Sequence, residues 1–126
     1  MQKRCGGLAF YIPHTTSETT VVATRCEFAN SDSGATVNGI LSSAKFNNCL
    51  FYSNRRRGIH AWNSTIHLHG EATSVHSNEE NGIFAFEGGK VIIHLPSNHN
   101  TSYNNGRDDL NDRYTTDGGT ITNVED

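Results

Sequence analysis

The side chains of this sequence that could do chemistry fall into four groups, and the first is a set of histidines. In STIHLHG (Ser64 to Gly70), His67 and His69 alternate with Ile66 and Leu68, so both imidazoles leave the same face of a strand. Sliding KVIIHLP (Lys90 to Pro96) onto that segment with one inserted residue sets His94 beside His69, with Glu71 close by. Imidazole nitrogens grouped in this way bind zinc or copper. No cysteine or carboxylate sits at ligand spacing, so the pattern favours an exposed polar ladder over a metal centre, and no cofactor is expected. The second group is aromatic. Ile59, Ala61, Ile83 and Ala85 point one way, which sends Trp62, Phe84 and Phe86 outward, with Trp62 aligned on Phe86 and His60 beside them. Such rings pack against the apolar faces of sugars or against a protein partner. The third group is the run Arg55-Arg56-Arg57, and the fourth the acidic stretch RDDLNDRYTTDGG (Arg107 to Gly119) with Asp108, Asp109, Asp112 and Asp117. These carboxylates lie together in one loop with no partner elsewhere, which reads as a solvated loop closing the end of the fold.

What must position these groups is a repeat. The pattern N-x-x-x-G occurs at Asn30/Gly34, Asn54/Gly58 and Asn78/Gly82, each copy 24 residues after the last, and Gly106 falls a further 24 on. A period in this range marks a solenoid. Before each echo, apolar or small residues sit two apart: Cys26 and Phe28, Cys49 and Phe51, Thr73 and Val75. After it come a second alternating stretch and a third, represented by Ile66 and Leu68 in one copy and by Val91, Ile93 and Leu95 in the next. Three short strands per repeat, separated by Asn, Gly and Ser, predict an all-β chain wound as a parallel β-helix of about four to five rungs. A leucine-rich repeat would need a leucine-asparagine ladder, and helical repeats would need apolar residues at i, i+3 and i+4; neither occurs. Asn, Thr, Ser and Gly make up 50 of the 126 residues, which suits sheet corners and not helices. On this register Asp32 lies one rung before Arg56 and Glu80 one rung after, while Glu79 lies above Arg55. The arginine run therefore reads as a charge ladder and not as an anion site.

The Asn-x-x-x-Gly-Ile turn after a C-x-F strand resembles the right-handed parallel β-helix repeats of the pectate-lyase-like and NosD-like superfamily, over roughly Val22 to Asn105. GGLAFYI (Gly6 to Ile12) looks like a degenerate start of one more rung. The resemblance implies right-handed winding and a turn asparagine stacked on its equivalents in adjacent rungs. Only Asn or Gln carries donor and acceptor on one planar group, so a column of Asn30, Asn54 and Asn78 can satisfy itself at a strand spacing of about 4.8 Å. The glycines four residues later are expected at positive φ, where the backbone leaves the corner. Related coils include lyases that hold calcium through carboxylates and hydrolases that use paired aspartates. Their N-T-D, D-D and G-H-G motifs are absent here as a set.

Length, charge and cysteines narrow the function classes. The 126 residues suit a single domain spanning 1–126, expected to be the C-terminal part of a longer solenoid or to have its ends covered by partners or by copies of itself. Val, Ile, Leu and Phe total only 26 residues, which fits the thin core of a solenoid. Net charge is −3, and no basic groove with interleaved aromatics favours nucleic acid. No stretch approaches membrane-spanning length, and the start MQKRCGGLAFYIP lacks the apolar run and cleavage site of a secretion signal. Cys5, Cys26 and Cys49 form an odd set without metal spacing, and Cys26 and Cys49 are expected to face inward as small hydrophobes, a disulfide between stacked rungs being the alternative; neither settles the compartment. The expected function is a non-enzymatic module presenting a rigid face, centred on Trp62, Phe84, Phe86 and His60, to carbohydrate or protein. The alternatives are a divergent polysaccharide lyase or glycoside hydrolase and a structural component of a viral or cell surface.

Overall fold

The computed structural model describes residues 10–106 and 112–124, and among them the chain forms strands and turns without a helix. Its first turn is β1 (Phe10–Ile12), β2 (Thr19–Thr24) and β3 (Glu27–Ala29); its second is β4 (Ala35–Asn38), β5 (Ser42–Asn47) and β6 (Leu50–Tyr52). The third is β7 (Ile59–Trp62), β8 (Thr65–His69) and β9 (Ser74–His76), and the fourth β10 (Ile83–Phe86), β11 (Lys90–Ile93) and β12 (Ser102–Tyr103). β13 (Arg113–Thr116) and β14 (Thr120–Asn123) begin a fifth. Equivalent strands stack in parallel into three sheets, β1-β4-β7-β10-β13, β2-β5-β8-β11-β14 and β3-β6-β9-β12. This is a parallel β-solenoid, as the 24-residue echo predicts.

Alternation along each strand decides what is buried. Strand β8 runs half-buried, buried, half-buried, buried, half-buried, with Ile66 and Leu68 inside and the histidines outside. The core is a single cluster threaded along the axis, in which Phe28 and Phe51 stack at 5.3 Å and Phe46 meets both edge-on at 5.6 and 5.0 Å. Cys26 and Cys49 are buried in this core, as expected, with Cys26 Sγ 3.5 Å from the Thr24 carbonyl and Cys49 Sγ 3.5 Å from those of Ala23 and Asn47, and Cys5 lies outside the described residues.

The corners bend through residues in the left-handed region. Asn30, Ser53, Ser77 and Asn104, with φ of 58°, 54°, 57° and 53°, form one column of equivalent corner positions. Asn63, Glu87 and Asp117 form another, at 50°, 48° and 51°. Holding non-glycine residues there is unfavourable locally, so the stacked strands on either side must impose the bend.

This geometry shifts the amide column by one residue on the first full rung. Its members are Asn54, Asn78 and Asn105, all buried, while Asn30 is exposed at the left-handed corner and Ser31 occupies the position equivalent to Asn54. The β3–β6 register is offset by 23 residues and the β4–β7 register by 24, so the echo at Asn30 is one residue out of phase with the strand that precedes it. Along the column, Asn54 Nδ2 donates to Asn78 Oδ1 at 2.8 Å and Asn78 Nδ2 to Asn105 Oδ1 at 2.7 Å. Each Oδ1 also accepts the backbone N–H one rung back, and each Nδ2 also donates to a main-chain carbonyl: Phe28, Phe51 and Val75 in turn. The column ends on Asp112, whose Oδ1 accepts from the Asn105 N–H at 2.9 Å and from its Nδ2 at 3.0 Å. A carboxylate accepts without donating, which makes it a natural terminator for such a chain.

The expectation of positive φ at Gly34, Gly58 and Gly82 is overturned, because none of them lies in the left-handed region. They are small for a different reason. A Cβ on Gly58 would run into Val75 Cγ1 and stand 2.7 Å from Asn78 Nδ2 and 2.8 Å from the Gly82 carbonyl. On Gly82 it would stand 2.5 Å from Asn105 Nδ2. These glycines seal the amide column. Nor is Gly106 the next echo, since Ile83 pairs with Arg113 and thus Asp112 stands where Gly82 stood.

Candidate functional site

The outer side of the β4/β7/β10/β13 sheet gathers the aromatic residues into two columns. In one, Thr36, His60, Phe84 and Tyr114 are in register; in the other, Asn38, Trp62, Phe86 and Thr116. Parallel pairing brings like positions together at rung spacing, so His60 stacks on Phe84 at 4.9 Å and Phe84 on Tyr114 at 5.3 Å. Trp62 and Phe86 lie 5.9 Å apart with planes tilted by 55°. The four expected residues are therefore brought together, but they are not equally accessible. Trp62 is 38% exposed and Phe86 half-buried, whereas Phe84 is only 7% exposed and serves as the floor of the patch. Trp62 is also fixed in orientation, since its indole Nε1 donates to Glu87 Oε2 at 2.7 Å.

Tyr114, 47% exposed, belongs to this patch and was not anticipated. The segment RDDLNDRYTTDGG is not one loop: its second half is strand β13 and the turn that follows. The available signal was Asp117-Gly118-Gly119 echoing Glu87-Gly88-Gly89, but at a thirty-residue offset that the 24-residue period conceals.

Charge gathers beneath one edge of the patch. The Arg57 guanidinium carbon lies 4.3 Å from the Phe84 ring centroid, a cation–π contact. Glu80 faces both Arg56, at 3.8 Å, and Arg57, at 3.9 Å. The charge ladder thus exists on the Glu80 side; from the Asp32 side the contact to Arg56 is a main-chain hydrogen bond, Arg56 N–H to the Asp32 carbonyl at 2.8 Å. Burial and then the Arg57 charge push His60 down to about 4, and its Nε2 is buried with no hydrogen-bond partner among the described residues. His60 is neutral at pH 7 and cannot serve there as a cationic group.

The β5/β8/β11 sheet carries the histidine group on its own outer side. Ile93 pairs with Leu68, which aligns His94 with His69, as the one-residue insertion predicts. His69 and His94 stack at 3.9 Å with planes 9° apart, and His67 Nδ1 and His94 Nε2 share a hydrogen bond at 2.9 Å. One nitrogen from each ring falls within 4.8 Å of the others. Burial, then His94 and then Lys45 lower the His67 pKa. Glu71 is not in this group; it is exposed and lines a corner groove with Arg25, Glu27 and Asn48.

On the third sheet Tyr52, His76 and Tyr103 stack at 5.3 and 5.2 Å with planes within 7°, and the Tyr52 hydroxyl donates to Glu27 Oε1 at 2.8 Å. Sequence reasoning missed this column, although each member immediately precedes a left-handed corner residue. Of the acidic candidates, Asp108 and Asp109 lie outside the described residues, Asp112 caps the amide column, and Asp117 sits in a left-handed turn. Compared with models of known families, with curated proteins and with solved structures, the chain matches none of them.

Proposed function

We propose that this solenoid is a non-catalytic module that binds a carbohydrate chain on the face around Trp62 and Phe86, with Tyr114 and His60 at its margins and Phe84 as its floor. The observation that carries this reading is Trp62 itself: a large apolar ring, 38% exposed, held on a strand and locked by its hydrogen bond to Glu87. A ring already fixed in place loses little further freedom when a sugar face packs on it. The Glu87 carboxylate beside it supplies an acceptor for sugar hydroxyls. In this reading Asp112 and Glu80 are structural, because Asp112 is committed to Asn105 and Glu80 to two arginines. The repeat's resemblance to pectate-lyase-like and NosD-like coils belongs to the same reading and extends to the coil, not to their catalysis.

The test is a glycan array probed with the chain and its Trp62→Ala variant. Binding that disappears in the variant, with an unchanged far-ultraviolet circular dichroism spectrum, is expected. Polysaccharide turnover that survives Trp62→Ala and is lost in Asp109→Asn would replace the module by an enzyme, since carboxylate chemistry needs the charge while ring stacking does not.

A further inference from the structure

We infer that His67, His69 and His94 form a site for one divalent transition-metal ion of the zinc or copper class, on a different sheet from the aromatic face. Two strands at successive turns supply the donors. His67 and His69 leave β8 two residues apart on its outer side, and the β8–β11 register brings His94 alongside His69 from the next rung. One nitrogen per ring already lies within 4.8 Å of the other two. A tetrahedral ion with metal–nitrogen bonds of about 2.0–2.1 Å needs its ligand nitrogens about 3.3 Å apart. The His67–His94 pair, at 2.9 Å, must open by a few tenths of an ångström, and His69 and His94, now stacked at 3.9 Å with planes 9° apart, must turn out of their stack so that both in-plane lone pairs converge on the ion. Rotation of half-buried side chains about χ1 and χ2 supplies that adjustment without moving a strand.

The donor set selects the ion. Three imidazoles without a carboxylate suit zinc, copper, nickel or cobalt and not calcium or magnesium, which require oxygen ligands. Three protein nitrogens leave a fourth position for an exchangeable ligand on the solvent side, because all three rings are only partly buried. The hydrogen bond between His67 and His94 shows one ring nitrogen protonated and the other offering a lone pair. Metal binding needs a lone pair on both. The donor ring must therefore give up that proton or carry it on its other nitrogen before both can ligate one ion.

The experiment is titration of tag-free chain with Zn2+ alone by calorimetry, and with Co2+ followed by visible absorption. One ion per chain is expected, with the intense visible bands of a tetrahedral Co2+ centre. Affinity should fall by more than about 100-fold in His94→Ala, beyond what the loss of an outer-shell partner costs. His67→Gln should fall similarly and keeps a second route open if His94→Ala does not fold, while His14→Asn, altering an exposed histidine elsewhere, should bind as the parent does. Absence of binding, affinity unchanged in both His94→Ala and His67→Gln, an octahedral Co2+ spectrum, or displacement of Zn2+ by equimolar Ca2+ would each overturn the site.

Discussion

The amide column at the corner and the side-chain columns on the outer faces are made by the same device, one residue per turn held in parallel register, yet they end in opposite states. Asn54, Asn78 and Asn105 lie inside a corner where Gly58 and Gly82 leave no room for a Cβ, and each amide donates to the next until Asp112 closes the column. Outside, the columns mix chemistries: His60 meets Phe84, Trp62 meets Phe86, and His67 and His69 meet His94. These side chains retain exposed ring surface or adaptable nitrogen donors. A repeat coil can therefore hold its shape with one column and leave others free to vary, because sheet register positions both kinds while only the sealed column must satisfy its own polar atoms.

Breaking the sealed column should have the largest effect. Asn78→Ala removes the acceptor for both the Asn54 side chain and its buried backbone N–H, along with two donor contacts. It should cost about 3 kcal/mol in urea unfolding. Asn30→Ala should cost about 1 kcal/mol or less, since Asn30 is exposed and contributes only its tolerance of the left-handed corner. Equal losses in the two variants would show that the column runs through Asn30 after all.

The outer aromatic face should show itself through pH. With the folded His60 value near 4, below the unfolded value of about 6.5, the unfolded chain binds more protons between those limits. Stability contributed by neutral His60 is complete above about pH 6.5, falls as the pH drops towards 4, and changes no further below it. For a half-buried group the change is on the order of 1 kcal/mol after solvent screening. His60→Gln should flatten this part of the unfolding profile; a slope unchanged by the substitution would mean that His60 titrates normally beside Phe84 and Arg57.

The smallest effect belongs to the exposed charges. Arg56→Glu replaces the positive charge that now lies 3.8 Å from Glu80 by a like charge on a shorter side chain and should lower stability by a few tenths to about 1 kcal/mol. The loss should shrink in high salt because the pair is open to solvent. A loss that salt leaves unchanged would put Arg56 in a less exposed setting than the outer columns provide.

Strand alternation was legible residue by residue. Cys26, Phe28, Cys49, Phe51, Ile66 and Leu68 all face inward as a period of two requires, and the same rule sent Trp62, His67 and His69 out. His94 was found because the plain 24-residue offset would set Ile66 on Lys90, and one inserted residue brings Val91 and Ile93 back in line with Ile66 and Leu68. The offsets between rungs were not legible. They run from 22 residues between β5 and β8 to 30 between β10 and β13, and each depends on how many residues a corner absorbs. Corner lengths thus decided that Ser31 replaces Asn30 in line with Asn54, that Asn105 and not Gly106 continues the motif, and that Tyr114 lands on Phe84.

By itself, then, the sequence determined the coil, its inward residues and the outward placing of Trp62, Phe84, Phe86, His60, His67, His69 and His94, because these follow from local alternation and from a repeat written into the chain. Tertiary structure alone decided which glycines were small for packing and not for φ, which aspartate ended the amide column, which aromatic ring became floor and which stayed exposed, and that three imidazoles came within 4.8 Å. The physical reason is that those properties belong to contacts between rungs. The chain meets such contacts only after each corner has set how far the next strand is displaced along the one beneath it.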